Sequence, residues 1–434
     1  MKNSYIKSIM ILVFCSFTAN AQQTPAGAQK ELISIVGATA HIGNGNLIKE
    51  ATLIFENGLI KEIGAASEIT PQGIVIDAKG KHLYPGFIIP NSTLGLGEID
   101  AVRATIDADE IGSMLPHIRS LIAYNAESKV VESMRPNGVL LAQITPRGGR
   151  ISGTSSLVQL DAWNWEDAAI KVDDGIHINW PQTYKSKYES FGQVVISEAN
   201  EDYLKQVNEL KHFLLNAKAY TKNESSKEHL PFQASKGIFD GIQKVYVHVK
   251  RQKGIIDAIT LMKSLGLDQI VLVGADEAYK TIDLIKKENV AVLLRRTQSL
   301  PLNEDDDYDL PYKNAVTLVE NDILVGLENS GQMERMNSRN LPFYAGITTG
   351  YGLTFEEALQ LITLNTASIL GIGQQYGSLE KGKSATLFIS EGNALEMNGN
   401  IIVKAYIDGR DISLETHQTK LWKRYMDKYS QASE

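Results

Sequence analysis

The order of apolar and polar positions divides the chain into three stretches. Leu32 to Ile42 alternates loosely, the pattern of a strand with one buried face. Gly43-Asn44-Gly45-Asn46 predicts a turn, and Leu47 to Phe55 a second strand. Asn57-Gly58 predicts a tight hairpin, because both residues tolerate positive φ. Leu59 to Ile63 and Ile74 to Ile76 add further strands before Lys79-Gly80. Hairpins of this kind make a small sheet that must find more strands to cover its edges.

Tyr84 to Leu96 is the junction. It reads as a short apolar strand ending in Asn91, Ser92 and Thr93 and a Gly-rich turn. Beyond it, helical and strand patterns mix. Ala101 to Ile118 is acidic and helix-prone in part, and Ala123 to Val131 is read as helical. Val139 to Ile144 is an apolar strand running into the Gly-rich loop Thr145 to Gly153, and Ser156 to Leu160 is a further strand. Asp173 to Gln193 resists assignment. Glu201 to Tyr220 is an amphipathic helix, with Leu204, Val207, Leu210, Phe213 and Leu214 at spacings of three and four.

From Lys244 the alternation is clean. Strands are predicted at Lys244–Val249, Gln269–Val273, Val290–Leu294 and Ile323–Leu327. Helices lie between them at Ile255–Leu265, Asp276–Lys287 and Ala315–Glu320. That spacing means parallel strands joined by crossover helices, with both sheet faces covered. Thr354 to Leu370 is predicted as one helix, with Thr354 and Glu357 forming a capping box and Gly371 ending it. Strands return at Ala385–Ser390 and Ile401–Ile407, and are expected to pack with the first hairpins. Thr416 to Tyr429 reads as a charged helix.

Composition adds limits. The chain has 434 residues, 43% hydrophobic and 22% charged, suiting one large domain and a smaller one. Its formal charge of −8 gives no support to nucleic-acid binding. Residues 1–21 read as a secretory signal peptide: Lys2 and Lys7, an apolar run from Ile9 to Phe17, and Ala19-Asn20-Ala21 before Gln22. The expectation is a periplasmic or secreted protein with no membrane contact after cleavage. Cys15 is the only cysteine and leaves with that leader, so thiol catalysis, disulfides and cysteine-ligated metal are excluded from the mature chain.

Three stretches resemble the amidohydrolase superfamily, and within it the imidazolonepropionase-like group. They are Tyr84-Pro85-Gly86-Phe87-Ile88; Arg339 to Gly346 with Tyr351 to Leu359 and Asn365 to Gly371; and Gly377 to Leu387. The resemblance implies a (β/α)8 TIM barrel over residues 85–376. It also implies a composite β-sandwich from residues 22–84 and 377–415, with residues 416–434 as a helix beyond it. The implied activity is metal-assisted hydrolysis of non-peptide carbon–nitrogen bonds, with one or two divalent ions such as zinc making hydroxide from bound water.

Such relatives carry His-x-His after the first barrel strand, often a modified Lys, two later His, and an Asp that also shuttles protons. Here the His-x-His falls on Asn91-Ser92-Thr93, and the Lys on Gln159. One His is kept as His248, the next falls on Gly274, and the Asp falls on Ser330 or Asn329. One ligand position in five does not hold a catalytic metal. His248 shares a strand face with Tyr246 and Lys250, and is open to a site role or a structural one.

Arg147, in the Gly-rich loop with Arg150, can clamp a carboxylate, but the expectation is a surface loop. Glu98, Asp107, Asp109 and Glu110 could line the mouth, with a solvated acidic face preferred. Asp305 to Asp307 lacks a calcium-loop pattern. Trp163, Trp165 and Trp180 suit either a pocket floor or core packing. Two readings of function follow: a weakly active or inactive hydrolase of small carbon–nitrogen compounds, or a non-catalytic ligand-binding or partner subunit of a ligand-complete amidohydrolase homologue.

Overall fold

The computed structural model describes residues 24–188, 194–222 and 228–431. The predicted leader lies outside the described residues. The first sheet contains β1 (Ile33–His41), β2 (Leu47–Glu56), β3 (Leu59–Ala65), β4 (Ile74–Asp77) and β5 (His82–Pro85). Its remaining strands come from the other end of the chain: β16 (Leu387–Ser390), β17 (Ile402–Ile407) and β18 (Arg410–Ile412). The junction is antiparallel, with Leu387 opposite Pro85 and Ser390 opposite His82. The late strands therefore cover an edge that the hairpins leave open. Ile35, Leu53, Phe55, Leu83, Leu387 and Tyr406 fill this sheet's core.

The second sheet is a nearly closed barrel. In order around it stand β6 (Phe87–Ser92), β7 (Val139–Ile144), β8 (Ile151–Gln159) and β9 (Ala169–Asn179). After the hairpin of β10 (Tyr184–Tyr188) and β11 (Val194–Ala199) come β12 (Lys244–Val249), β13 (Ile270–Gly274), β14 (Ala291–Arg295) and β15 (Val325–Glu328). The seam between β15 and β6 is bridged by Leu361 and Ile362. Leu327 N–H donates to Leu361 O at 3.2 Å, and Ile88 N–H donates to Ile362 O at 3.0 Å.

Seven of the barrel strands run parallel, but β8 is antiparallel to both β7 and β9. Loop length dictates this. The link from Ile144 to Ile151 is too short for a crossover, which needs a dozen or more residues. The strand also begins at Ile151 rather than Ser156, because Gly148 and Gly149, both at positive φ, complete the turn early.

The helices α1 (Tyr203–Thr221), α2 (Gln252–Ser264), α3 (Ile282–Lys287) and α4 (Leu310–Glu320) pack outside the barrel. The predicted helix over Thr354–Leu370 is two: α5 (Phe355–Gln360), with the expected capping box, and α6 (Leu364–Leu370). The break has a cause. Carbonyls of the intervening residues are spent on the barrel seam, so the helical ladder cannot continue through them. The helical patterns at Ala101–Ile118 and Ala123–Val131 shrink to a 3-10 turn at Arg103–Thr105 and a short helix at Lys129–Glu132. The charged helix is present as α7 (His417–Gln431).

Candidate functional site at the barrel mouth

The last turn of β6 sets the site. Asn91 is fully buried with φ of 51°, a left-handed geometry that Asn tolerates better than most residues. Its N–H donates to Gln143 Oε1 on β7 (3.0 Å), and its Nδ2 to Glu328 Oε2 at the end of β15 (3.1 Å). Arg147 closes over it as a fork, with Nη1 on Asn91 Oδ1 (2.9 Å) and Nη2 on Asn91 O (2.8 Å). The expectation of Arg147 on a surface loop is therefore corrected. The two glycines after it turn the chain back, and the guanidinium reaches inward.

Two carboxylates flank this fork. Glu334 accepts from Ser92 Oγ (2.8 Å), Thr93 N–H (3.0 Å) and Thr93 Oγ1 (2.5 Å), and lies 3.7 Å from Arg147 Nη2. Glu328 accepts from Asn91, from Ser330 N–H (2.5 Å) and from Ser330 Oγ (2.6 Å). Burial raises its pKa, and those hydrogen bonds only partly oppose the shift. The acid at this strand end is thus Glu328; Ser330 caps it. Asn329 turns away, donating to Glu334 O (2.8 Å).

A second set of contacts fixes proton positions. Gln143 Oε1 is taken by Asn91 N–H, so its Nε2 donates to Asp174 Oδ2 (2.9 Å) and Ser155 Oγ (3.2 Å). Ser155 O–H donates to Asp174 Oδ1 (2.7 Å), and Tyr246 O–H donates to Asp174 Oδ2 (2.7 Å). Ser155 Oγ must then accept from His177 Nε2–H at 2.9 Å. His177 Nδ1 is left as acceptor, and His248 Nε2–H donates to it at 2.8 Å. His248 Nδ1 therefore carries no proton in the neutral ring. His177 also stacks on Tyr246, with ring centroids 4.5 Å apart. His248 thus has both a structural bond and a place at the mouth.

Electrostatics agree with neutral imidazoles. Burial, then the Arg147 charge, pushes His248 down to about 3. Burial lowers His177 well below its ordinary value, with smaller contributions from His248 and Arg147. Burial also lowers His82, on β5 of the first sheet. All three shifts have one sign. Below the ordinary histidine value near 6.5 the unfolded chain binds protons that the folded chain refuses, so folding stability falls as pH falls through that window. Urea midpoints are expected to drop between pH 7.5 and 5, and His248→Gln should flatten that slope. An unchanged slope in the variant would remove His248 from the account.

The remaining expected positions sort plainly. Gly274 ends β13 at φ of 85° and offers no side chain. Gln159 lies at the opposite end of the barrel, because β8 is reversed; there its Oε1 accepts from Asp161 N–H at 2.7 Å. Glu98 ties a loop, accepting from Asn125 Nδ2 and Ser128 Oγ. Asp107, Asp109 and Glu110 line a separate surface cleft with His117 and Pro146. Trp180 is core, donating to Tyr203 OH at 3.0 Å, and Trp163 is exposed. Glu328, Glu334, Gln143, Ser155, Asp174, His177 and Tyr246 are site residues that sequence reasoning missed. Gln143 alone carried a signal, as the one polar residue in an otherwise apolar strand.

A divalent ion does not fit this donor set. Both carboxylates already accept from protein donors, His177 is bonded at both ring nitrogens, and a guanidinium stands among them. Among the described residues no group of three or more His, Cys, Asp or Glu is placed to hold a metal.

The amidohydrolase family model matches residues 205–412. The chain is 24% identical to a 5'-deoxyadenosine deaminase of Methanobrevibacter smithii over 388 residues, covering 80% of this chain and 81% of that protein. It is 24% identical to an imidazolonepropionase of Clostridium tetani over 394 residues, covering 81% and 86%. An amidohydrolase structure from Thermotoga maritima superposes with a TM-score of 0.77 at 20% identity, covering 88% of this chain and 99% of that one. A zinc-bound adenosine deaminase from Xanthomonas campestris superposes at 0.55 and 14% identity, covering 92% and 98%. These superpositions establish the fold. The family match and the imidazolonepropionase and deaminase relatives support assigning the chain to the amidohydrolase superfamily, imidazolonepropionase-like, whose members are hydrolases of carbon–nitrogen bonds that typically use a divalent metal such as zinc.

Proposed function

We propose that this chain is an exported member of the superfamily that engages a small carbon–nitrogen compound at the barrel mouth without metal-assisted hydrolysis. The observation that carries the proposal is the Arg147 fork on Asn91. It brings a fixed positive charge to the strand end where metal-dependent relatives carry their His-x-His. A guanidinium and a divalent ion at one mouth repel, and a planar fork cannot generate hydroxide as a metal does. The names of the relatives point to nitrogen heterocycles, an adenosine and an imidazolone, as the ligand class. Export rests on the leader pattern of Lys2, Lys7, the apolar run to Phe17 and Ala19-Asn20-Ala21.

The test is a panel of imidazolones, adenosines, lactams and N-acyl amino acids, assayed for turnover and for thermal shift with and without added zinc. The expected result is a ligand-dependent shift lost in Arg147→Met, with no zinc-dependent turnover. Turnover that requires zinc and disappears with a chelator would overturn the proposal.

A further inference from the structure

The helix α7 carries an aromatic face that stays largely exposed among the described residues. It is 15 residues long, about 22 Å at a rise of 1.5 Å per residue. Its start is held to the barrel: Thr416 is buried, and His417 N–H donates to Glu132 Oε1 at 2.6 Å. Beyond that, Trp422, Tyr425, Met426 and Tyr429 recur at spacings of three and four, on one face. They are 62%, 48%, 51% and 63% exposed. A surface helix normally turns such a stripe toward the core.

The rest of the helix is basic. Lys420, Lys423, Arg424 and Lys428 stand against Asp427 within the helix, a formal +3 on a chain of −8, while Glu415 just before it pairs with Lys423 at 3.0 Å and Lys420 at 3.7 Å and leaves Arg424 and Lys428 as the cations beside the rings. The cations flank the rings: Arg424 lies 5.2 Å from the Tyr425 ring centroid, and Lys428 5.4 Å from that of Tyr429. Trp and Tyr present an apolar body and a polar edge, which suits the boundary between headgroups and acyl chains. Lysine and arginine beside them are drawn to anionic headgroups.

We propose that α7 is an interfacial anchor that lays this protein on an anionic lipid surface, with its aromatic stripe at the headgroup boundary and its basic residues against lipid phosphates. A second copy is the poorer occupant. Pairing two such faces sets +3 beside +3, and a Trp/Tyr stripe lacks the Leu/Ile seam that a helix pair packs best. The anchor lies on the membrane without crossing it, since no helix among the described residues is long and apolar enough to span one. It runs against the expectation of a chain without membrane contact, and the experiment below decides between them.

The experiment is co-sedimentation of the full chain with vesicles of phosphatidylcholine alone or mixed with phosphatidylglycerol, run beside analytical ultracentrifugation without lipid. The expected result is on the order of tenfold stronger binding to the anionic vesicles, falling with salt. Trp422→Ser with Tyr429→Ser should abolish binding while thermal unfolding stays unchanged, since neither side chain is buried. Lys423→Glu with Lys428→Glu should remove the preference for anionic lipid. Equal or absent binding to both vesicles overturns the proposal. A dimer in the ultracentrifuge that Trp422→Ser dissolves also overturns it, in favour of a second copy.

Discussion

Arg147→Met is expected to cost the folded chain about 2–4 kcal/mol, by stripping a partly buried cation from the acceptors it holds. Methionine keeps much of the apolar stem but donates nothing. Asn91 O and Oδ1 would lose their donors, and Glu334 would keep Ser92 and Thr93 but lose the nearby positive charge. Breaking a fully buried ion pair costs about 3–5 kcal/mol. The 3.7 Å separation and the 29% exposure of the Arg147 side chain place this case lower. Urea unfolding checks it. Arg147→Lys should recover part of the loss, because it restores the charge without the fork. A loss below about 0.5 kcal/mol would mean that the guanidinium does not hold the end of β6.

Asp174→Ala is expected to cost about 3–5 kcal/mol, because three buried donors then point at one vacancy. Ser155, Gln143 and Tyr246 all converge on this carboxylate. Burial raises its pKa, and those donors pull it back. Asp174→Asn should cost less, since its amide oxygen still accepts while its NH2 opposes a donor. The substitution also reads the tautomers. Nitrogen-15 shifts of the imidazoles should show a bare Nδ1 on both His177 and His248 in the natural chain. Asp174→Ala frees the Ser155 hydroxyl and should disturb that assignment first at His177.

The elements were legible where a period runs uninterrupted. The hairpins, the composite sheet and β12 to β15 follow from alternation and turn residues alone. The reversal of β8 was hidden by a late start at Ser156, which made the connection look longer than it is. The break between α5 and α6 was invisible, because its cause is tertiary: the seam of the barrel claims the carbonyls. In the site, Asn91 and His248 stood out because a recognisable motif frames them. Glu328 was missed because the resemblance sets the family's Asp position on Ser330 or Asn329, and it is Ser330 that bonds the Glu328 carboxylate. His177 and Asp174 lie in a tract whose aromatic and glycine interruptions mask its strand. Glu334 opens a single-turn helix, Glu334–Asn337, too short to show a period, and only three-dimensional closure brings it under Thr93.

An arginine in place of a metal at the barrel mouth has a plain consequence that elemental analysis of the purified chain reads. After dialysis against zinc-containing and then zinc-free buffer, less than about 0.1 equivalent of zinc per chain is expected, because Arg147 and the capped carboxylates leave no ligand set. One equivalent that survives dialysis, and that His248→Ala removes, would contradict it.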